Sequence, residues 1–127
     1  MALGSLLLVE DEILLRTLLK RRLASLGWRV TAVESGRAAL DVVKQGGVSL
    51  VLSDVNMPGL SGLDLCAAVR ARGLGPPVVL MSGLADAAMH GAAQEQGAAA
   101  LLSKPLGDAD FARLAVEAQR GGGVAAR

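Results

Sequence analysis

Aromatic residues are nearly missing from this chain: it has no tyrosine, one tryptophan and one phenylalanine in 127 residues. Nor does it carry an excess of either charge, with thirteen basic residues against twelve acidic ones and a formal charge of +1. It therefore offers neither the stacking surface nor the dense positive field that nucleic acids require, and no direct nucleic-acid binding is expected. A single cysteine, Cys66, excludes an intramolecular disulfide and a cysteine metal cluster. Its apolar neighbours in a helical stretch read it as buried packing. No apolar run approaches the roughly 20 residues that cross a bilayer. Met1 to Ser5 is too short and uncharged for a signal peptide, so a cytoplasmic protein with no membrane partner is expected. Glycine-rich phosphate loops are missing too. Neither GxGxxG nor the P-loop pattern occurs, and the turn after the first apolar run is acidic, which would repel a dinucleotide.

What the chain does have is aliphatic. Hydrophobic residues make up 52% of it, mostly alanine, valine and leucine, enough for one domain with a proper core. Residues 1–120 read as that domain and 121–127, with Gly121, Gly122 and Gly123, as a flexible tail. Within the domain, short apolar runs alternate with helical segments five times. The runs are Leu6 to Val9, Trp28 to Val33, Leu50 to Leu52, Val78 to Met81 and Ala99 to Leu102. A helix over Ile13 to Leu26 carries an apolar stripe at Leu15, Leu19, Leu23 and Leu26 and ends at Gly27. Ser35 caps a second helix reaching Gln45. Ser61 and Asp64 have the spacing of a capping box for a third, which stops near Gly73. An alanine-rich helix follows from about Ala85 to Gln96, and Asp108 caps a last one to about Gln119.

Five strand and helix pairs with short loops predict an α/β fold: a flavodoxin-like, doubly wound parallel sheet with right-handed crossovers and helices on both faces. The strand order 2-1-3-4-5 puts the most apolar run at the centre and the weakly alternating Trp28 to Val33 at an edge. The polar residues then fall at one end. Glu10 and Asp11 follow the first strand, Asp54 ends the third, Ser82 ends the fourth, and Lys104 with Pro105 follows the fifth. Ligands bind at the carboxyl ends of such strands, so three acids, a hydroxyl and an ammonium converge on one crevice. Three carboxylates less one lysine leave about two negative charges for a divalent cation, and the hard oxygen donors favour magnesium over zinc or copper.

The stretches VEDE, SDVNMPGLSG, MSG and SKP, in this order and at these spacings, resemble the receiver domain of two-component response regulators from about Leu6 to Gln119. The resemblance implies that Asp54 is the phosphoacceptor, Asp11 a direct magnesium ligand and Glu10 an outer or water-mediated one. The backbone carbonyl of Asn56 would complete the protein's share of the metal shell. Ser82 would hydrogen-bond the phosphoryl group, Lys104 would pair with one of its oxygens, and the Lys104–Pro105 bond would be cis. It further implies a histidine kinase or histidine phosphotransfer protein as donor and an output partner on the fourth helix, fifth strand and fifth helix. Such a chain catalyses only its own phosphorylation and dephosphorylation. Leu101 stands where many receivers carry the tyrosine or phenylalanine that reports activation. His90 reads as surface, and Gly62 as a position that permits close packing. Two other readings share these residues. A pseudo-receiver would keep the fold as an interaction module without phosphorylation. A haloacid-dehalogenase-like phosphatase would need a second aspartate two residues after Asp54, where this chain has Asn56.

Overall fold

A computed structural model describes residues 3–73 and 75–125, with side chains described as far as residue 120. Five strands form one parallel sheet: β1 Gly4–Val9, β2 Trp28–Val33, β3 Leu50–Asp54, β4 Val78–Ser82 and β5 Ala100–Ser103, in the order β2-β1-β3-β4-β5. The helices are α1 Ile13–Ser25, α2 Gly36–Gln45, α3 Gly62–Ala71, α4 Ala87–Glu95 and α5 Asp108–Ala125. Order, direction and number of elements agree with the expected doubly wound sheet.

Period-two alternation in the strands builds two cores from one set of residues. Leu7, Val9, Val51, Val78, Leu80 and Leu101 face one way, against Ala39 and Val43 of α2, Leu65 and Val69 of α3 and Ala93 of α4. Leu6, Leu8, Leu50, Leu52, Val79 and Met81 face the other, against Leu19 and Leu23 of α1 and Leu114 of α5. Every residue of β3 and β4 is buried, as a central parallel strand covered by helices on both sides requires. Cys66 is also buried; its thiol donates to the Gln96 carbonyl at 3.1 Å, and burial raises its pKa.

Capping follows the sequence signals closely. Ser35 accepts from Ala38 N–H at 3.1 Å, and Ser61 and Asp64 satisfy each other's backbone donors in a full capping box, both at 3.1 Å. Other boundaries shift. The first strand starts at Gly4 rather than Leu6. Leu26, expected on the buried stripe of α1, is the exposed cap residue, and Gly27 follows it in the left-handed region at φ 108°. The fourth helix begins at Ala87 because Asp86 captures the Met89 N–H at 2.8 Å. Asp108 lies inside α5 rather than capping it; the Gly107 N–H is held instead by Asp110 Oδ2 at 2.8 Å. That helix continues past Gln119 to Ala125. The side chains of the expected glycine-rich tail, and residues 126 and 127, fall outside the described residues.

One close approach fixes the end of the central strand. A Cβ on Gly62 would overlap the Asp54 carbonyl oxygen and lie 2.9 Å from Val55 Cα, while the Gly62 N–H donates to the Val55 carbonyl at 2.9 Å. Backbone cannot yield as a flexible side chain can, so Gly62→Ala must push α3 away from β3. Overpacking of this kind typically costs about 1–3 kcal/mol. An unfolding free energy in urea lowered by that amount is expected, and an unchanged value would show that the contact is not tight.

Candidate functional site

The four central and outer strands that end in polar residues are neighbours in the sheet, so their carboxyl ends meet at one edge. Asp54 is the last residue of β3. The turn residues Asn56 to Gly59 stop the strand there, and the α3 N-terminus packs under it through Gly62. Its carboxylate is mostly buried and fully engaged on the protein side: Oδ2 accepts from Lys104 Nζ at 2.7 Å and Oδ1 from the Asn56 N–H at 3.2 Å. Asn56 thus lies directly beside Asp54, although through its amide N–H.

Glu10 follows β1 and is almost fully buried. Its Oε1 accepts from the same Lys104 ammonium at 3.0 Å, and its Oε2 from the Glu12 N–H at 3.1 Å. Burial of the charge is the main reason that its pKa lies above the usual 4.5; Lys104 and the Glu12 N–H oppose the shift, and the nearby Asp54 charge adds to it. For Lys104 burial alone would lower the pKa. The hydrogen bonds to Asp54 and Glu10, with the attraction of both carboxylates, outweigh burial and raise the pKa above 10.5. The ammonium therefore stays charged at neutral pH and spans two acids, one just after β1 and one at the end of β3. The lysine reaches them from the loop after β5, where the Lys104–Pro105 bond is cis as expected.

Asp11 is exposed, yet one oxygen from each of Glu10, Asp11 and Asp54 lies within 4.8 Å of the others. All the donors are carboxylate oxygens, and the three acids exceed the one lysine in charge. The donor set fits a hard divalent cation, for which carboxylate oxygen is the preferred ligand. Ser82 ends β4, one residue beyond the Met81 that pairs with Asp54. It is fully buried, and its Oγ accepts from the Leu84 N–H at 3.0 Å, which leaves its own O–H free to donate. Leu84 itself is 65% exposed at the rim.

Glu10, Asp11, Asp54 and Lys104 are thus brought together, with Asn56 against Asp54 and Ser82 at the adjacent strand end. His90 is exposed on α4, and Leu101 is buried in β5 opposite Leu80. One residue outside the expected set also belongs here. Arg16, in the second turn of α1, folds back so that its Nη1 donates to the Glu10 carbonyl at 2.9 Å and, more weakly, to the Asp11 carbonyl at 3.4 Å. An arginine five residues after an acidic turn is the only sequence sign of it, since such a residue otherwise reads as one more charge on a solvated helix.

Residues 6–115 match the sequence model of the response regulator receiver domain. The response regulator protein FleR of Pseudomonas aeruginosa is 45% identical over 105 residues, which are 81% of this chain and 22% of FleR. The sensor histidine kinase RcsC of Salmonella typhi is 39% identical over 116 residues, 91% of this chain and 12% of that protein. The chain therefore spans less than a quarter of the length of these two relatives. Among solved structures, the signal receiver domain of the response regulator NarL from Mycobacterium tuberculosis superposes with a TM-score of 0.86 at 28% identity, covering 95% of this chain and 99% of that one.

Proposed function

Because the chain belongs to the response regulator receiver domain family of two-component systems, we propose that it accepts a phosphoryl group on Asp54 from a histidine-bound donor and passes the signal on through its fold. The observation that carries this reading is the Lys104 ammonium bridging Asp54 at 2.7 Å and Glu10 at 3.0 Å beside a third acid. A carboxylate is a weak nucleophile, so the transfer depends on positioning and on neutralising the charge spread over the phosphoryl oxygens.

In the transfer an Asp54 carboxylate oxygen forms the new bond to phosphorus. The phosphorus–nitrogen bond of the donor's phosphohistidine breaks, and the imidazole leaves with the electron pair. Lys104, already against Asp54, follows the transferred charge to a phosphoryl oxygen. Ser82 supplies a neutral donor with the O–H that its bond to Leu84 leaves free. Asp11 and Asp54 would hold magnesium directly, with the Asn56 carbonyl, and Glu10 would act from outside or through water. When bound there, the metal supplies positive charge beside the phosphoryl oxygens. The product is an acyl phosphate, which water later cleaves to restore the carboxylate.

A histidine kinase or a histidine phosphotransfer protein is the proposed donor, and the α4, β5 and α5 face the proposed surface for an output partner, in the cytoplasm. No described helix is long and apolar enough to cross a membrane. The phosphatase reading lacks its second carboxylate, since Asn56 occupies that position. The pseudo-receiver reading has to leave a complete set of acids and lysine without a use. Incubation with acetyl phosphate, with and without magnesium, tests the three together. A magnesium-dependent mass increase of one phosphoryl group that accumulates on the chain is expected; rapid consumption of acetyl phosphate with no accumulated phosphoprotein would favour the phosphatase, and neither modification nor consumption the interaction module.

A further inference from the structure

Asp11 is the least tied of the three clustered acids. Glu10 and Asp54 each hold the Lys104 ammonium and a backbone N–H. The Asp11 carboxylate makes no hydrogen bond or ion pair among the described residues, and it is exposed. Its direction is therefore set by the backbone of the turn after β1. That turn is pinned at Glu10 N–H, which donates to the Val33 carbonyl at 3.1 Å, and at the carbonyls of Glu10 and Asp11, which accept from Arg16 Nη1.

We infer that Arg16 is a positioning residue for the acidic cluster: its guanidinium holds the turn after β1 so that Asp11 stays within ligand distance of Glu10 and Asp54. This rests on the reading of those acids as a cation site. Charge and geometry make opposite demands here, which gives the inference a sign. As a bare positive charge beside the site, Arg16 would repel a divalent cation, and removing it would tighten binding. As a strut it lowers the conformational freedom that the ligands lose on binding, and removing it would loosen binding. Supports of this kind typically contribute roughly 10-fold to 100-fold in metal affinity. Lysine at this position keeps the charge, but its chain is one bond shorter and it lacks the planar fork, so it cannot reach both carbonyls in the same way.

The experiment is a calorimetric magnesium titration of the full chain and of Arg16→Ala, Arg16→Lys and Arg21→Ala, with urea unfolding of each without cation. Arg21 is an exposed arginine further along α1 and controls for loss of one positive charge. Arg16→Ala is expected to bind magnesium roughly 10-fold to 100-fold more weakly, Arg16→Lys to fall between it and the parent, and Arg21→Ala to match the parent. If Arg16→Ala proves too unstable to titrate, Arg16→Lys decides by the same criterion. Unchanged or tighter binding in Arg16→Ala and Arg16→Lys, with the parent binding normally, overturns the inference. A parent chain that binds no magnesium overturns the cation site itself, and with it the premise.

Discussion

Asp54→Asn is expected to bring phosphoryl incorporation from acetyl phosphate down to background while leaving the fold intact. The amide has nearly the shape of the carboxylate, and its oxygen can still accept from Lys104 or from the Asn56 N–H, each of which now holds one Asp54 oxygen. What it lacks is nucleophilicity. Glu10 cannot take over readily, because it is almost fully buried and its carboxylate is held at both oxygens, by Lys104 and by the Glu12 N–H. Asp11 is exposed but has no ammonium beside it among the described contacts. Intact mass after incubation with acetyl phosphate and magnesium checks this. Undiminished labelling of the variant would refute the assignment.

Lys104→Ala should act on both rate and stability. The loss of one placed cation or donor at a site of developing charge costs about 100-fold to 1,000-fold in comparable cases, and phosphorylation from acetyl phosphate should slow to that extent. Stability should change in a pH-dependent way. Glu10 already has a raised pKa because burial penalises its charge, and Lys104 is the chief group opposing that shift. Without the lysine the pKa rises further. A carboxyl whose native pKa is raised favours folding fully below its unfolded value of about 4.5, and that contribution is lost as pH rises through the native value. The variant should therefore be less stable than the parent at neutral pH, with a gap that narrows toward pH 4.5 and below. Removing one partner of a fully buried pair costs roughly 3–5 kcal/mol. Here the lysine side chain is 22% exposed, so a smaller loss of about 1–3 kcal/mol is expected at neutral pH. Urea unfolding across that pH range is the check, and a constant gap would show that the acids do not depend on Lys104.

The fold was legible because nearly every local signal agreed with the global one. The uninterrupted apolar runs at Leu50 to Leu52 and Val78 to Met81 demand helices on both faces, and the structure supplies them from alternating strand positions. Ser35 and the Ser61–Asp64 box set their helix starts by side-chain hydrogen bonds, which sequence spacing specifies directly. Two helix starts moved where a competing carboxylate acceptor was involved. Asp86 outbid the neighbouring residues for the start of α4, and Asp110 took the Gly107 N–H that an Asp108 cap would have left free. The convergence of Glu10, Asp11, Asp54 and Lys104 was readable because strand ends and strand order fix it. Arg16 was not, since its role is a backward reach to two main-chain carbonyls, a contact that leaves no spacing motif. The weak direct hold on Asp11 was equally invisible, because it concerns which bonds an acid does not make.

The central claim is that Asp54 is the phosphoacceptor, and reductive trapping tests it most directly. The chain is phosphorylated with acetyl phosphate in the presence of magnesium and then treated with borohydride, which reduces an aspartyl phosphate to homoserine. Peptide mapping locates the conversion. Homoserine at position 54, absent without magnesium, is the predicted result; conversion at Asp11 or another aspartate, with residue 54 unchanged, would contradict it.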